Sequence, residues 1–277
     1  MTKFRNITGT DGMDFLIGRF GDDRIFGRGG DDTISALTGD DRVFGERGFD
    51  NLFGGNGRDQ LFGGTQNDNV YGQSGDDILH GDNGLATAKG ADLAADNLDG
   101  GSGNDTGYQS DGNDTATLGS GRDTLFFKWQ DPMVALAVGT GRSFTNVTDF
   151  DPDEDRFVFD VAGLGKDAAG ANFVDGGNGT VGGRAASFFK GDTEDSNGES
   201  VMILTDKGFA TGAQAVLEAN NEATGDFVIY FNTTVNVGSL LFVDALDTAH
   251  SIARFADIDS LGDLQNTDFT AGDFLFA

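Results

Sequence analysis

Cysteine is absent from the 277 residues, so disulfide staples and thiol chemistry are excluded. Proline occurs twice, tryptophan once, and the only histidines are His80 and His250. No H-E-x-x-H, G-x-S-x-G or P-loop pattern is present, which leaves zinc-protease, serine-nucleophile and phosphate-cradle chemistry without a foothold. Positive charge is also scarce. Eighteen Lys and Arg stand against 46 Asp and Glu, for a formal charge of −28. That balance opposes an electrostatic grip on nucleic acid or on an anionic membrane and favours cations. No apolar run approaches the length of a membrane-spanning helix. The opening stretch, MTKFRNITGT, has no apolar region of the kind found in a standard secretory signal.

What the chain does have is glycine, aspartate and a period. From Gly9 to Phe126 it reads in blocks of nine: GRFGDDRIF from Gly18, GRGGDDTIS from Gly27, GERGFDNLF from Gly45 and GGNGRDQLF from Gly54. Place one and place four are Gly, place six is Asp and place eight is aliphatic. The place-six column runs Asp14, Asp23, Asp32, Asp41, Asp50, Asp59, Asp68, Asp77, and after an interruption at residues 85–94 it resumes with Asp96, Asp105, Asp114 and Asp123. The aliphatic column begins Leu16, Ile25, Ile34, Val43, Leu52, Leu61, Val70, Leu79, and ends Leu98, Gly107, Ala116, Leu125. Ala36 and Gln66 depart from the glycine places early on, and Gln109 and Leu118 replace the first Gly of the last two blocks.

Each residue type suits a turn that holds a hard cation. Aspartate supplies carboxylate oxygens of the kind calcium takes. Glycine permits positive φ and close backbone approach, so a Gly-rich hexad can turn its carbonyls inward. The last three places alternate, as a very short strand does, with one inward aliphatic side chain between two outward ones. One buried aliphatic residue per nine is a thin core, and it is outweighed by the entropy of ordering nine residues. Stacked acidic loops also repel one another. We therefore expect the first half to be disordered without calcium and to fold on binding it.

The nonapeptide resembles the calcium-binding repeat of the RTX family of secreted bacterial proteins. That resemblance implies an all-β fold: a right-handed parallel β-roll with 18 residues per coil over residues 9–127, followed by a β-rich capping domain over 128–277. Consecutive coils stack about 4.8 Å apart, so twelve blocks make six coils and roughly 25–30 Å of roll. Blocks alternate between two edges. One edge carries Asp14, Asp32, Asp50, Asp68, Asp96 and Asp114; the other carries Asp23, Asp41, Asp59, Asp77, Asp105 and Asp123. In the family each ion lies between two loops stacked on one edge. The implied metal-site residues are these twelve aspartates with Gly27, Gly30, Gly45, Gly48, Gly54, Gly57, Gly72, Gly75, Gly100 and Gly103. Five gaps per edge allow at most about ten Ca2+, fewer if the eroded last loops fail.

In the second half, Thr124–Lys128, Ser143–Phe150, Arg156–Val161 and Val201–Leu204 read as strands, and Asp226–Phe231 with Val237–Val243 reads as a hairpin. Thr211–Asn220 reads as a short helix with Thr211 as N-cap, and Thr248–Phe255 as a helical turn or a strand. Asp149, Asp151, Asp153 and Asp155, with Asp160, imitate the start of an EF-hand loop, but Glu154 stands where that loop needs Gly. The segment also resembles the acidic turn that follows the repeats in serralysin-type RTX domains; a solvated turn is the third reading. Gly177, Gly179 and Gly182 spell G-x-G-x-x-G without a helix to follow, the pattern of a flexible turn. The chain ends Asp273, Phe274, Leu275, Phe276, Ala277, similar to the family's uncleaved type I secretion signal and equally readable as a last core strand.

His80 falls at place nine, in register with Phe26, Phe44 and Phe62, and is expected to pack as a bulky side chain. The resemblance points to a secreted, extracellular, non-enzymatic calcium-binding protein whose partners are calcium and the type I secretion machinery. Two alternatives remain. One is a surface-layer or adhesive component using the place-nine aromatics (Phe26, Phe44, Phe53, Phe62, Tyr71) as a contact stripe on a cell surface. The other is a calcium-dependent accessory module of a glycan-modifying enzyme.

Overall fold

The computed structural model describes residues 4–82, 94–109, 112–127, 144–159, 183–184, 188–196, 201–219, 227–243, 249–270 and 273–276. The chain divides into two compact units, Met1–Gln130 and Asp131–Ala277, within three residues of the boundary read from the sequence.

The first unit is a parallel β-roll. Its strands are β1 (Arg5–Thr8), β2 (Phe15–Ile17), β3 (Asp23–Gly29), β4 (Thr33–Thr38), β5 (Arg42–Arg47), β6 (Asn51–Asn56), β7 (Gln60–Thr65), β8 (Asn69–Ser74), β9 (Ile78–Asp82), β10 (Asn97–Ser102), β11 (Thr106–Gln109), β12 (Thr115–Thr117) and β13 (Thr124–Phe127). Odd strands form one parallel sheet and even strands the other. Register advances by 18 residues, as in Ile25↔Val43 and Ile34↔Leu52. Across the interruption it advances by 28, with Asn69↔Asn97 and Ile78↔Thr106. The ten extra residues are thus absorbed without loss of phase.

The strands are longer than the three-residue strand read from the period. Strands β5 to β8 have six residues each and run from place seven of one block to place three of the next. Ile25, Ile34, Val43, Leu52, Leu61, Val70, Leu79 and Leu98 point inward and are buried, joined by Ala36. Outward side chains alternate with them, as pleating requires.

The second unit is packed in the ordinary way. Its strands are β14 (Thr145–Val147), β15 (Arg156–Phe159), β16 (Gly183–Arg184), β17 (Phe188–Gly191), β18 (Val201–Phe209), β19 (Phe227–Asn232), β20 (Val237–Val243), β21 (Ala249–Phe255) and β22 (Phe274–Phe276), with helices α1 (Gly212–Glu218) and α2 (Leu261–Asn266). Strands β17, β18 and β19 are parallel, β19 and β20 form the hairpin, and β21 joins antiparallel to β20. Thr248–Phe255 therefore resolves as a strand over its described part. Thr211 caps α1 by accepting from the Gln214 N–H at 3.2 Å. Strand β18 runs five residues beyond the VMIL segment. Helix α2 went unread, although Ser260 accepts from the Asp263 N–H in the spacing of an N-cap. Phe150, Phe157, Phe159, Phe227, Phe255, Phe269 and Phe274 form a chain of ring contacts and are buried.

Candidate metal centre

The twelve place-six aspartates fall on the two edges read from the period, and they are bonded to one another in series. Along one edge the Asp32 Oδ1 accepts from the Asp14 N–H, Asp50 from Asp32, Asp68 from Asp50, Asp96 from Asp68 and Asp114 from Asp96, at 2.8–3.0 Å. Along the other, Asp41 accepts from Asp23, Asp59 from Asp41, Asp77 from Asp59, Asp105 from Asp77 and Asp123 from Asp105, at 2.6–2.8 Å. Each carboxylate spends one oxygen on the coil before it.

The second oxygen has no such use. In Asp32, Asp41, Asp50, Asp59, Asp77 and Asp105 the Oδ2 is buried without a hydrogen-bond partner among the described residues. Burying an unpaired carboxylate oxygen is costly. The consequence appears in the acidities. Desolvation pushes Asp41, Asp50 and Asp77 up to about 6 and Asp59 and Asp105 up to about 7, partly offset by the N–H of the preceding coil. Neighbouring aspartates push in the same upward direction.

The glycines shape the space around each orphaned oxygen, but in two different ways. The place-four glycines Gly30, Gly48, Gly57, Gly75 and Gly103 have left-handed φ values between 97 and 141°, as the turn reading requires. Place-one glycines do not. A β-carbon on Gly27, Gly45, Gly54, Gly72 or Gly100 would lie less than 3.0 Å both from the Oδ2 of its own block's aspartate and from a main-chain carbonyl oxygen of the next coil (Gly45, Gly63, Gly72, Gly100 and Leu118 respectively). The missing side chain leaves a cradle where carboxylate and carbonyl oxygens converge. A second left-handed position, place two, was not read from the sequence because Arg28, Leu37, Glu46 and Gln73 occupy it beside Gly55, Gly64 and Gly101.

Among the described residues no three Asp, Glu, His or Cys side chains gather as a metal cluster. The donors of each gap are instead two stacked carboxylates and main-chain carbonyls. That is an all-oxygen set without the imidazole or thiolate that zinc sites favour, of the kind that suits a hard cation such as calcium, so the residues present fit the ion the repeat pattern implies.

A model of the RTX calcium-binding nonapeptide repeat (four copies) matches residues 8–43, 35–70, 53–85, 91–107 and 108–126. The N-terminal half of the chain carries several copies of the RTX calcium-binding nonapeptide repeat. The RTX repeats thus coincide with the roll and with both aspartate ladders. The chain is also similar to nodulation protein O of Rhizobium leguminosarum bv. viciae, 35% identical over 164 residues, 56% of this chain and 55% of that protein. The chain thus spans about half the length of the curated relative it matches.

Three further features bear on the residues read from the sequence, two in the roll and one in the second unit. An outer ladder of place-five side chains runs in the opposite sense: Asp22, Asp31, Asp40, Asn67, Asp76 and Asn104 each accept from an N–H of the following coil at 2.9–3.1 Å. It was legible as a recurrence of Asp and Asn at place five. His80 stacks between Phe62 at 4.6 Å and Tyr108 at 4.3 Å, in one continuous file from Phe26 to Phe126. The interior rings of this file turn their faces to each other and only their edges outward, so their faces are not available to an external contact. Finally, the Asp149–Asp155 segment is closed on itself: the Asp155 carboxylate accepts from the Asp151 N–H, and Asp151 from the Asp153 N–H, both at 2.9 Å. Asp160 and the Gly177–Gly182 glycines lie outside the described residues.

Proposed function

We propose that the protein is a secreted, non-enzymatic calcium-binding protein whose roll folds on taking up calcium outside the cell. The observation that carries this reading is the row of buried carboxylates with one oxygen left unsatisfied, each beside a carbonyl-lined cradle. Proteins with RTX repeats are typically secreted. Cytosolic calcium is too low to load weak sites, whereas extracellular modules work at about 10⁻⁴–10⁻³ M. The chain then stays unfolded for export through a type I secretion machinery and compacts afterwards. The tail supports the same order of events. Asp273 and Phe274 are buried and β22 pairs with β15 in the folded unit, so a signal there is readable while the chain is unfolded. Among the described residues no helix is long and apolar enough to cross a membrane.

The test is ion stoichiometry measured together with far-UV circular dichroism, in the parent and in Asp59→Ala. Asp59 lies between Asp41 and Asp77 in its ladder, so its removal should cost ligands in two neighbouring gaps. An Asp59→Ala protein that binds as many ions as the parent would overturn the assignment.

A second reading, attachment at a cell surface, is favoured by one patch. Met13, Phe15, Ile17 and Phe20 on the first coil are 77, 71, 51 and 88% exposed. Fractionation of producing cells in the presence of calcium separates free from surface-held protein. A glycan screen under the same conditions tests the accessory-module alternative.

A further inference from the structure

The first coil breaks the pattern of the ladder at one point. Arg5, which pairs in register with Asp23 across β1 and β3, occupies place six, where each later coil of that edge presents an aspartate. Its Nη2 donates to both carboxylate oxygens of Asp23, at 2.7 and 2.8 Å. The Asp23 side chain is fully buried and that of Arg5 is 42% exposed, so the guanidinium reaches in from the rim. Asp23 also accepts from the Arg19 N–H at 2.8 Å on Oδ2. Further down the same edge, Asp41, Asp59, Asp77 and Asp105 keep an Oδ2 without a partner. On the opposite edge Asp14 accepts from the N–H and hydroxyl of Thr10.

We infer that Arg5 is a resident cation that ends the ladder. In the gap above Asp23 a guanidinium stands opposite a carboxylate where every later gap on that edge sets two carboxylates against each other. Calcium loading of this edge therefore starts in the gap between Asp23 and Asp41, and the coil above it is held by a covalently supplied charge. Two properties of arginine suit the role. It cannot be deprotonated in proteins, and its planar fork meets both oxygens of a carboxylate. Place four of the same block is Lys3, not the glycine that stands at place four in the later turns of this edge (Gly21, Gly39, Gly57, Gly75, Gly103 and Gly121). The inference rests on the calcium reading above, because only an ion in each later gap makes Arg5 its counterpart.

Hydrogen exchange followed by mass spectrometry, on the full chain with saturating calcium, tests this in the parent, Arg5→Ala and Arg5→Lys. With Arg5→Ala, protection of amides in β1 and in Gly18–Phe26 should fall at least tenfold. Coils from Gly45 onward should keep theirs, and the number of calcium ions per chain should not change. Arg5→Lys should retain part of the local protection. Unchanged protection in Arg5→Ala overturns the inference, as does a uniform loss over the whole roll or a change in ion count. A parent chain whose roll is equally protected with and without chelator defeats the calcium reading instead, so the two failures are distinguishable.

Discussion

The two units of this chain solve the same problem with different materials. The second unit has Met202, Leu204, Phe209, Val228, Tyr230, Leu241 and Val243 in one cluster, with a file of phenylalanines besides. Its Lys207–Glu218 ion pair, at 2.8 Å, lies at the rim, and among the described residues Asp155 and Asp273 are the carboxylates it buries. The roll puts one aliphatic side chain per block into its interior, Gly107 excepted, and buries the place-six aspartate of every block after the first. Apolar burial stabilises the first arrangement whatever the solution contains. The second buries charge that only a cation can offset. On the proposed calcium reading, the same chain holds one half whose stability is intrinsic and one half whose stability is set by an ion concentration.

Chelation should break the comparison most visibly. With excess chelator, amides of β3 to β13 should exchange as in an unstructured chain, while those of β18 to β20 remain protected. Equal loss in both units would show that the second unit depends on the ions too. Next in size is a lesion confined to the second unit. Phe227 is fully buried and its ring lies 4.4 Å from that of Phe159. Phe227→Ala should cost about 3–5 kcal/mol, read by chemical denaturation, and that cost should be the same at any calcium level that keeps the roll loaded.

Acidity gives a smaller and opposite pair of effects. The folded-state values of about 6 for Asp41, Asp50 and Asp77 and about 7 for Asp59 and Asp105 lie above the ordinary 3.8. The metal-free folded roll therefore binds protons more tightly than the unfolded chain. Its stability is greatest below pH 3.8 and is lost as pH rises through 6 to 7. In chelator, strand content should increase between pH 8 and pH 5, while the calcium concentration needed for folding should rise over the same interval because protons compete for the same oxygens. A metal-free chain as unstructured at pH 5 as at pH 8 contradicts this.

The smallest effect concerns one gap. At place one, Ala36 carries the β-carbon that at other blocks would crowd the aspartate Oδ2 and the next coil's carbonyl, so the gap between Asp41 and Asp59 is the least roomy of the early ones. Ala36→Gly should tighten the weakest calcium step a few-fold, seen by calorimetric titration, despite the loss of a buried methyl from the core.

Much of the roll was legible because one residue type at one place fixes both a ligand and a phase. The nine-residue phase and its resumption after the interruption follow from the aspartate column, while the 18-residue coil and the two edges came from the resemblance to the RTX family. What escaped was carried by positions that do not conserve a residue type along the chain. Place two adopts positive φ with Arg28, Leu37, Glu46 and Gln73 as well as with glycine, so composition gave no mark. Arg5 lies before the first complete block, yet counting back 18 residues from Asp23 would have found it. In the second unit, Ser260 and Asp263 spelled an N-cap that was passed over because the helix they start has only six residues. The secretion signal proposed for Asp273–Ala277 is a different case, since a signal read from an unfolded chain would leave no geometry behind in the folded one.

The jump of 28 in place of 18 between neighbouring strands means that this architecture counts windings rather than residues. Both rails re-enter in step on the far side of the ten extra residues, so phase is kept by an aspartate's place on its rail and not by its distance along the chain. A residue added within a strand would instead put every side chain that follows in that strand on the wrong face.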